Sequence, residues 1–133
     1  MGPRLLVLDD YEGRIAGAPA MARLRELAEV TVLDRPLRDG DLAGVRVLLA
    51  IRERTRLDGA LLDRLPDLEL ILQTGGHAYH VDREAATGRG IVVALSRRAR
   101  MATASVPELT FGLLLAVLRR IHPLAGELAA GEW

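Results

Sequence analysis

The feature that most constrains this chain is a series of five short apolar runs, each stopped by charged or turn-forming residues and separated from the next by a segment of helical character. Arg4-Leu-Leu-Val-Leu8 stops at Asp9-Asp10, and Glu29-Val-Thr-Val-Leu33 at Asp34 to Pro36. Val45 to Ile51, Leu68-Glu-Leu-Ile-Leu72 and Ile91-Val-Val-Ala-Leu95 complete the set. The runs are nearly continuous rather than alternating, the pattern of strands covered on both faces. Between them, Met21, Leu24 and Leu27 recur at helical spacing within 19–28. The segments 58–65 and 82–88 each open with an Asp that can cap a helix, and Pro66 follows the first of them.

Strand and helix in strict alternation, joined by short connections, specify an α/β domain: a doubly wound parallel sheet with right-handed crossovers. Five strands at this spacing predict the flavodoxin-like order 2-1-3-4-5. Half of the 133 residues are apolar, yet Tyr11, Tyr79, Phe111 and Trp133 are the only aromatics, so Leu, Val, Ile and Ala must build the core. At this length one domain buries roughly two thirds of its unfolded surface, enough to fold without staples.

Composition excludes several kinds of chemistry. All 18 basic residues are Arg, balanced by 18 acidic ones. Net neutrality argues against nucleic-acid or membrane-surface partners, and the missing Lys removes Schiff-base chemistry. Without Cys there is no thiol nucleophile, disulfide or thiolate metal site. The apolar stretch at 113–118 is far shorter than the roughly 20 residues of a membrane span. The apolar start is too short for a signal peptide, so a cytoplasmic location is expected.

Residues 105–133 differ from what precedes them. Ser105-Val-Pro-Glu108 has the spacing of a capping box, and the predicted helix over 105–121 carries Leu109, Phe111, Leu113, Leu114, Leu115, Val117, Leu118 and Ile121 on nearly every face. A helix apolar all round needs cover all round, which predicts a homodimer formed through it. Pro123 predicts a kink, with a second short helix over 124–130.

Ligands of open parallel sheets sit beyond the carboxyl ends of the strands. Four loops are expected there: Asp9 to Tyr11, Arg52 to Thr55, Thr74 to His80, and Arg97 to Ala104. Gly75 and Gly76 permit close approach of backbone N–H groups to an anion, or form a plain tight turn. Arg52 can clamp a carboxylate, whereas Arg54 reads as a solvated surface residue. His77 and His80 have acid–base capacity but no third ligand for a metal, and no metal site is expected. Asp9-Asp10 matches the acidic pair of receiver domains, but those also need an Asp ending strand three and a Lys ending strand five, and both are missing. The two aspartates therefore read as turn and capping residues. No glycine-rich phosphate loop follows any strand, so no cofactor is expected to be held by these residues.

Several segments carry a resemblance, in order along the chain. They are Leu61-Leu-Asp-Arg-Leu-Pro-Asp-Leu-Glu-Leu-Ile71, Gln73-Thr-Gly-Gly-His-Ala-Tyr-His-Val-Asp82, Thr103-Ala-Ser-Val-Pro-Glu108, Leu118-Arg-Arg-Ile121 and Ala130-Gly-Glu-Trp133. Together they resemble the D-isomer-specific 2-hydroxyacid dehydrogenases. The resemblance implies a substrate-binding domain over 1–104 and linking helices over 105–133 that lead to a nucleotide-binding domain. It implies hydride transfer between NAD(P) and a small 2-hydroxy or 2-oxo acid in the parent enzyme. The substrate carboxylate would be held by backbone N–H groups of Gly75, Gly76 and His77, with Arg52 lining the pocket. The family's catalytic Arg, Glu and His lie in the later domain, so no catalytic residue is expected here and the 133 residues are expected to be inactive alone. His77 stands where the family has its second glycine, His80 where it often has Asn, Ala102 for Asn and Pro107 for Ala. Two non-enzymatic readings compete: a stand-alone binder of small carboxylates, and an interaction module that assembles through its apolar helix.

Overall fold

The computed structural model describes residues 2–96 and 102–132, with side chains from 106 onward in the second stretch. The chain divides into two units, Met1–Arg97 and Arg98–Trp133.

The first unit is a five-stranded parallel sheet made of β1 (Arg4–Leu8), β2 (Glu29–Val32), β3 (Val45–Ala50), β4 (Leu70–Gln73) and β5 (Val92–Leu95), in the order β2-β1-β3-β4-β5. This is the order that the alternation of runs predicts. Its helices are α1 (Ala20–Leu27), α2 (Gly59–Asp63) and α3 (Arg83–Gly88), with a single 3-10 turn at Asp39–Asp41. Period-two alternation sorts the strand side chains between two layers. Leu6, Leu8, Leu48 and Ile71 face one way and join Leu57, Leu62, Leu65 and Ala86 in the main core. Leu5 and Val7 face the other way, against Ile15, Leu24 and Ala28. The central strands are thus covered on both faces, which explains their unbroken apolar runs.

The predicted caps form. Asp58 accepts from the N–H of Leu61 at 3.0 Å and Asp82 from that of Ala85 at 2.9 Å. Each satisfies a donor that the first helical turn leaves unpaired.

The second unit contains α4 (Ala102–Leu118) and α5 (Ile121–Ala129). Both boundaries differ from the sequence expectation. α4 begins three residues before Ser105, which therefore sits inside the first turn rather than capping it, and Pro107 lies within the helix. Alanines favour helix strongly enough to extend it upstream, at the cost of the hydrogen bond Pro107 cannot donate. The break between the helices falls at Arg120, with φ 51°, rather than at Pro123. A proline ring crowds the carbonyl four residues earlier, here that of Arg119, which disfavours unbroken helix just upstream of Pro123, where Arg120 leaves it. Pro123 then occupies the first turn of α5, where it is tolerated. Large apolar side chains along both helices are exposed, among them Phe111, Leu113, Leu114, Leu118 and Leu124. Among the described residues no single helix is long and apolar enough to cross a membrane.

Candidate anion site at the carboxyl edge of the sheet

Three loops leaving β1, β3 and β4 meet at one edge of the sheet. A short parallel bridge between Leu57 and Val81 joins the second and third of them, and Asp9 ties the first to Thr55 on the second. In the bridge Leu57 N–H donates to His80 C=O, and Asp82 N–H to Leu57 C=O, both at 2.9 Å. The fourth expected loop includes residues 97–101, outside the described residues.

The first loop is tied down by its aspartates. Asp9 is buried, adopts φ 63°, and accepts from Thr55 N–H at 3.1 Å and Thr55 Oγ1 at 3.0 Å. Asp10 accepts from the N–H groups of Ile15 and Ala16. Asp10 is consumed by local backbone donors, in keeping with a turn role, whereas Asp9 instead ties the first loop to Thr55 on the next. Arg54, read from sequence as solvated, instead donates to Asp9 C=O at 3.0 Å, pairs with Glu12 and lies 5.0 Å over the Tyr11 ring. The guanidinium holds the Glu12 carboxyl below the usual carboxylate range.

The glycine loop follows β4. Thr74 N–H continues the ladder to Ala50 C=O. After it, the N–H groups of Gly75, Gly76 and His77 donate no backbone hydrogen bond to another described residue. Neither glycine has a positive φ. What Gly75 requires is space, because an added Cβ would lie 3.3 Å from Gln73 Nε2 and 3.7 Å from His77 C=O. That same Gln73 is buried and donates from Nε2 to Arg52 C=O at 3.0 Å, joining the floor of the glycine loop to the end of β3. Arg52 itself adopts φ 62°, and among the described residues its side chain enters no ion pair. The structure therefore brings Arg52, Gly75, Gly76 and His77 to one edge, linked through Gln73.

Glu53 was not singled out by sequence reasoning. One of its carboxylate oxygens sits 2.8 Å from His77 Nδ1 and accepts from Tyr79 N–H at 3.1 Å, and His80 lies 3.8 Å away. The contact with His77 holds the Glu53 carboxyl below the usual carboxylate range. Burial pushes the His80 ring down, toward its neutral form, against the opposing pull of Glu53. The only available signal was the juxtaposition of an acidic residue after strand three with two histidines after strand four. Tyr79, highly exposed, stacks on His77 with ring centroids 4.7 Å apart.

This edge leaves three consecutive N–H groups, those of Gly75, Gly76 and His77, without a backbone acceptor among the described residues. It does not fit a dinucleotide. The turn after the first strand, where glycine-rich domains cradle a pyrophosphate, here carries the buried carboxylates of Asp9 and Asp10.

Known proteins give this edge a context. Residues 6–125 match the model of the D-isomer specific 2-hydroxyacid dehydrogenase catalytic domain. The chain is 32% identical over 116 residues to D-3-phosphoglycerate dehydrogenase of Methanocaldococcus jannaschii, covering 86% of this chain and 22% of that protein. It is 32% identical over 130 residues to glyoxylate reductase of Thermofilum pendens, covering 92% of this chain and 38% of that one. Among solved structures, phosphoglycerate oxidoreductase from Vibrio cholerae superposes with a TM-score of 0.74 at 30% identity, over 98% of this chain and 42% of that chain. An NADPH-dependent glyoxylate/hydroxypyruvate reductase from Sinorhizobium meliloti, in complex with NADP and malonate, gives 0.66 at 29% identity, over all of this chain and 40% of that chain. The chain thus spans well under half the length of these relatives. With the family model spanning both the sheet and most of the helices that follow it, this chain belongs to the D-isomer-specific 2-hydroxyacid dehydrogenase family.

Proposed function

We propose that this chain is the substrate-binding portion of an NAD(P)-dependent D-2-hydroxyacid dehydrogenase, and that its carboxyl edge holds the carboxylate of a small 2-oxo or 2-hydroxy acid. The observation that carries the reading is the run of N–H groups at Gly75, Gly76 and His77, left over after the β4 ladder ends at Thr74. Successive amides at a turn converge on an anion and complement its charge without a titrating group. Arg52, whose C=O accepts from Gln73 Nε2 at the foot of the glycine loop, would add a second, charged contact. The Sinorhizobium meliloti reductase is in complex with malonate, which shares with such acids a small carboxylate.

In this reading the sheet domain selects and orients the acid. NAD(P) supplies the hydride from a separate nucleotide-binding domain, to which α4 and α5 form the link. The exposed apolar side chains of those helices support a second element of the reading, a homodimer formed through the 105–121 segment.

Calorimetric titration of the 133-residue chain tests the first element. Glyoxylate should bind with a dissociation constant on the order of millimolar, the range open to a few hydrogen bonds on a partly solvated anion. Gly76→Val should abolish the heat, and NADH should give none. Micromolar NADH binding, or glyoxylate heat unchanged by Gly76→Val, would refute the assignment.

A further inference from the structure

We infer that Glu53 is the positioning residue of this edge, a carboxylate pin on the β3 loop that fixes the conformation of the glycine loop opposite. The inference rests on the reading of that loop as the carboxylate site. Amides recognise an anion only while their N–H vectors converge, so something must hold a loop whose Gly75, Gly76 and His77 N–H groups make no backbone bond to another described residue. The ladder holds it at Thr74 and the Leu57–Val81 bridge holds it from His80 onward. Between these anchors, the side-chain bonds that hold the loop among the described residues are those to Glu53: His77 Nδ1 at 2.8 Å and Tyr79 N–H at 3.1 Å, both to Oε1.

The arrangement also answers an electrostatic objection. A carboxylate beside an anion site should repel its ligand, but this one has its negative charge turned onto His77 and the Tyr79 amide. His80 faces it from the same loop, Asp9 lies toward His80 from the end of β1, and Arg52 and Arg54 flank it in sequence. The Tyr79 ring stacked on His77 holds the imidazole in the plane that meets Glu53. A role for Glu53 explains why a glutamate is present in a loop that needs to receive an acid.

Two variants read by nuclear magnetic resonance of the whole chain test this. In Glu53→Ala, the Tyr79 amide should exchange with solvent about tenfold faster, the order expected for one hydrogen bond to a charged acceptor. The glyoxylate-induced shifts of Gly75, Gly76 and His77 should then need several-fold more ligand. Glu53→Gln keeps an acceptor oxygen but not its charge, and should restore both only in part, to values between those of Glu53→Ala and the wild type at neutral pH. In the wild-type chain Tyr79 protection should fall as pH drops through the acidic range in which Glu53 takes up a proton, and in Glu53→Gln it should not. Unchanged Tyr79 protection in Glu53→Ala, or identical acid dependence in the wild type and Glu53→Gln, overturns the pin. If glyoxylate moves no amide even in the wild type, the carboxylate-site reading fails, and the Tyr79 exchange rates still decide whether Glu53 holds the loop.

Discussion

Asp10, 1% exposed, accepts from the N–H groups of Ile15 and Ala16, while Asp9 beside it reaches across to Thr55. Sequence identified both as structural residues, and the local turn and capping chemistry it assigned holds for Asp10, whose partners lie within a few positions. It could not identify Thr55 as a partner, because that bond spans two strands. Asp10→Ala leaves buried donors unsatisfied and should destabilise the chain by about 2–3 kcal/mol in urea denaturation, with Asp10→Asn costing less. A loss under about 0.5 kcal/mol, typical of an exposed site, would contradict this role. Glu53 and Gln73 were illegible for the same reason as Thr55: their partners lie in loops 20 or more positions away. Asp41, paired with Arg35 at 2.8 Å and bonded to Arg38 N–H, is held at a pKa of about 2 by the guanidinium. A lowered carboxylate pKa stabilises the fold above its unfolded value and loses that contribution as pH falls from about 4 to about 2. Asp41 is largely sheltered but Arg35 is 36% exposed, so solvent screening reduces the effect to about 1 kcal/mol. Asp41→Asn should flatten this part of the acid dependence of stability.

Among the elements, those with both a period and a cap were legible. α2 and α3 follow Asp58 and Asp82 as expected, and each strand lies within the apolar run that announced it except β4, which starts two residues into its run and continues one residue past it to Gln73. Legibility failed where one local signal opposed another. A capping box at Ser105 lost to the helix propensity upstream of it, and the kink assigned to Pro123 moved to Arg120 because proline acts on the turn before it. Arg120 in the left-handed region carries a backbone cost that glycine would not. Arg120→Gly should therefore leave helicity unchanged by circular dichroism and raise stability by about 0.5–1 kcal/mol. Lower helical content would show that the break depends on the arginine itself. In the sheet, Leu48 is completely buried in the main core. Leu48→Ala should cost about 2–5 kcal/mol, because a central strand cannot collapse onto the cavity.

The fold class, strand order and family were all accessible before any coordinates, because they rest on patterns that run the length of the chain. Assembly is less direct. Covering about five of the exposed side chains of α4 and α5 would gain on the order of 10 kcal/mol, against an association cost of about 4–15 kcal/mol. A homodimer at micromolar concentration is the expected outcome of sedimentation equilibrium, and Leu114→Glu should shift it toward monomer. A monomer whose mass and solubility are untouched by Leu114→Glu would remove the helices from consideration as an interface. The proposed division of labour, with the acid held here and the nicotinamide held by another domain, depends most on where an acid binds. An amide-resolved glyoxylate titration, followed by nuclear magnetic resonance, locates that directly. The largest shifts should fall on Gly75, Gly76 and His77, with a smaller response at Arg52. Shifts confined to α4 and α5, or none at saturating glyoxylate, would contradict the account.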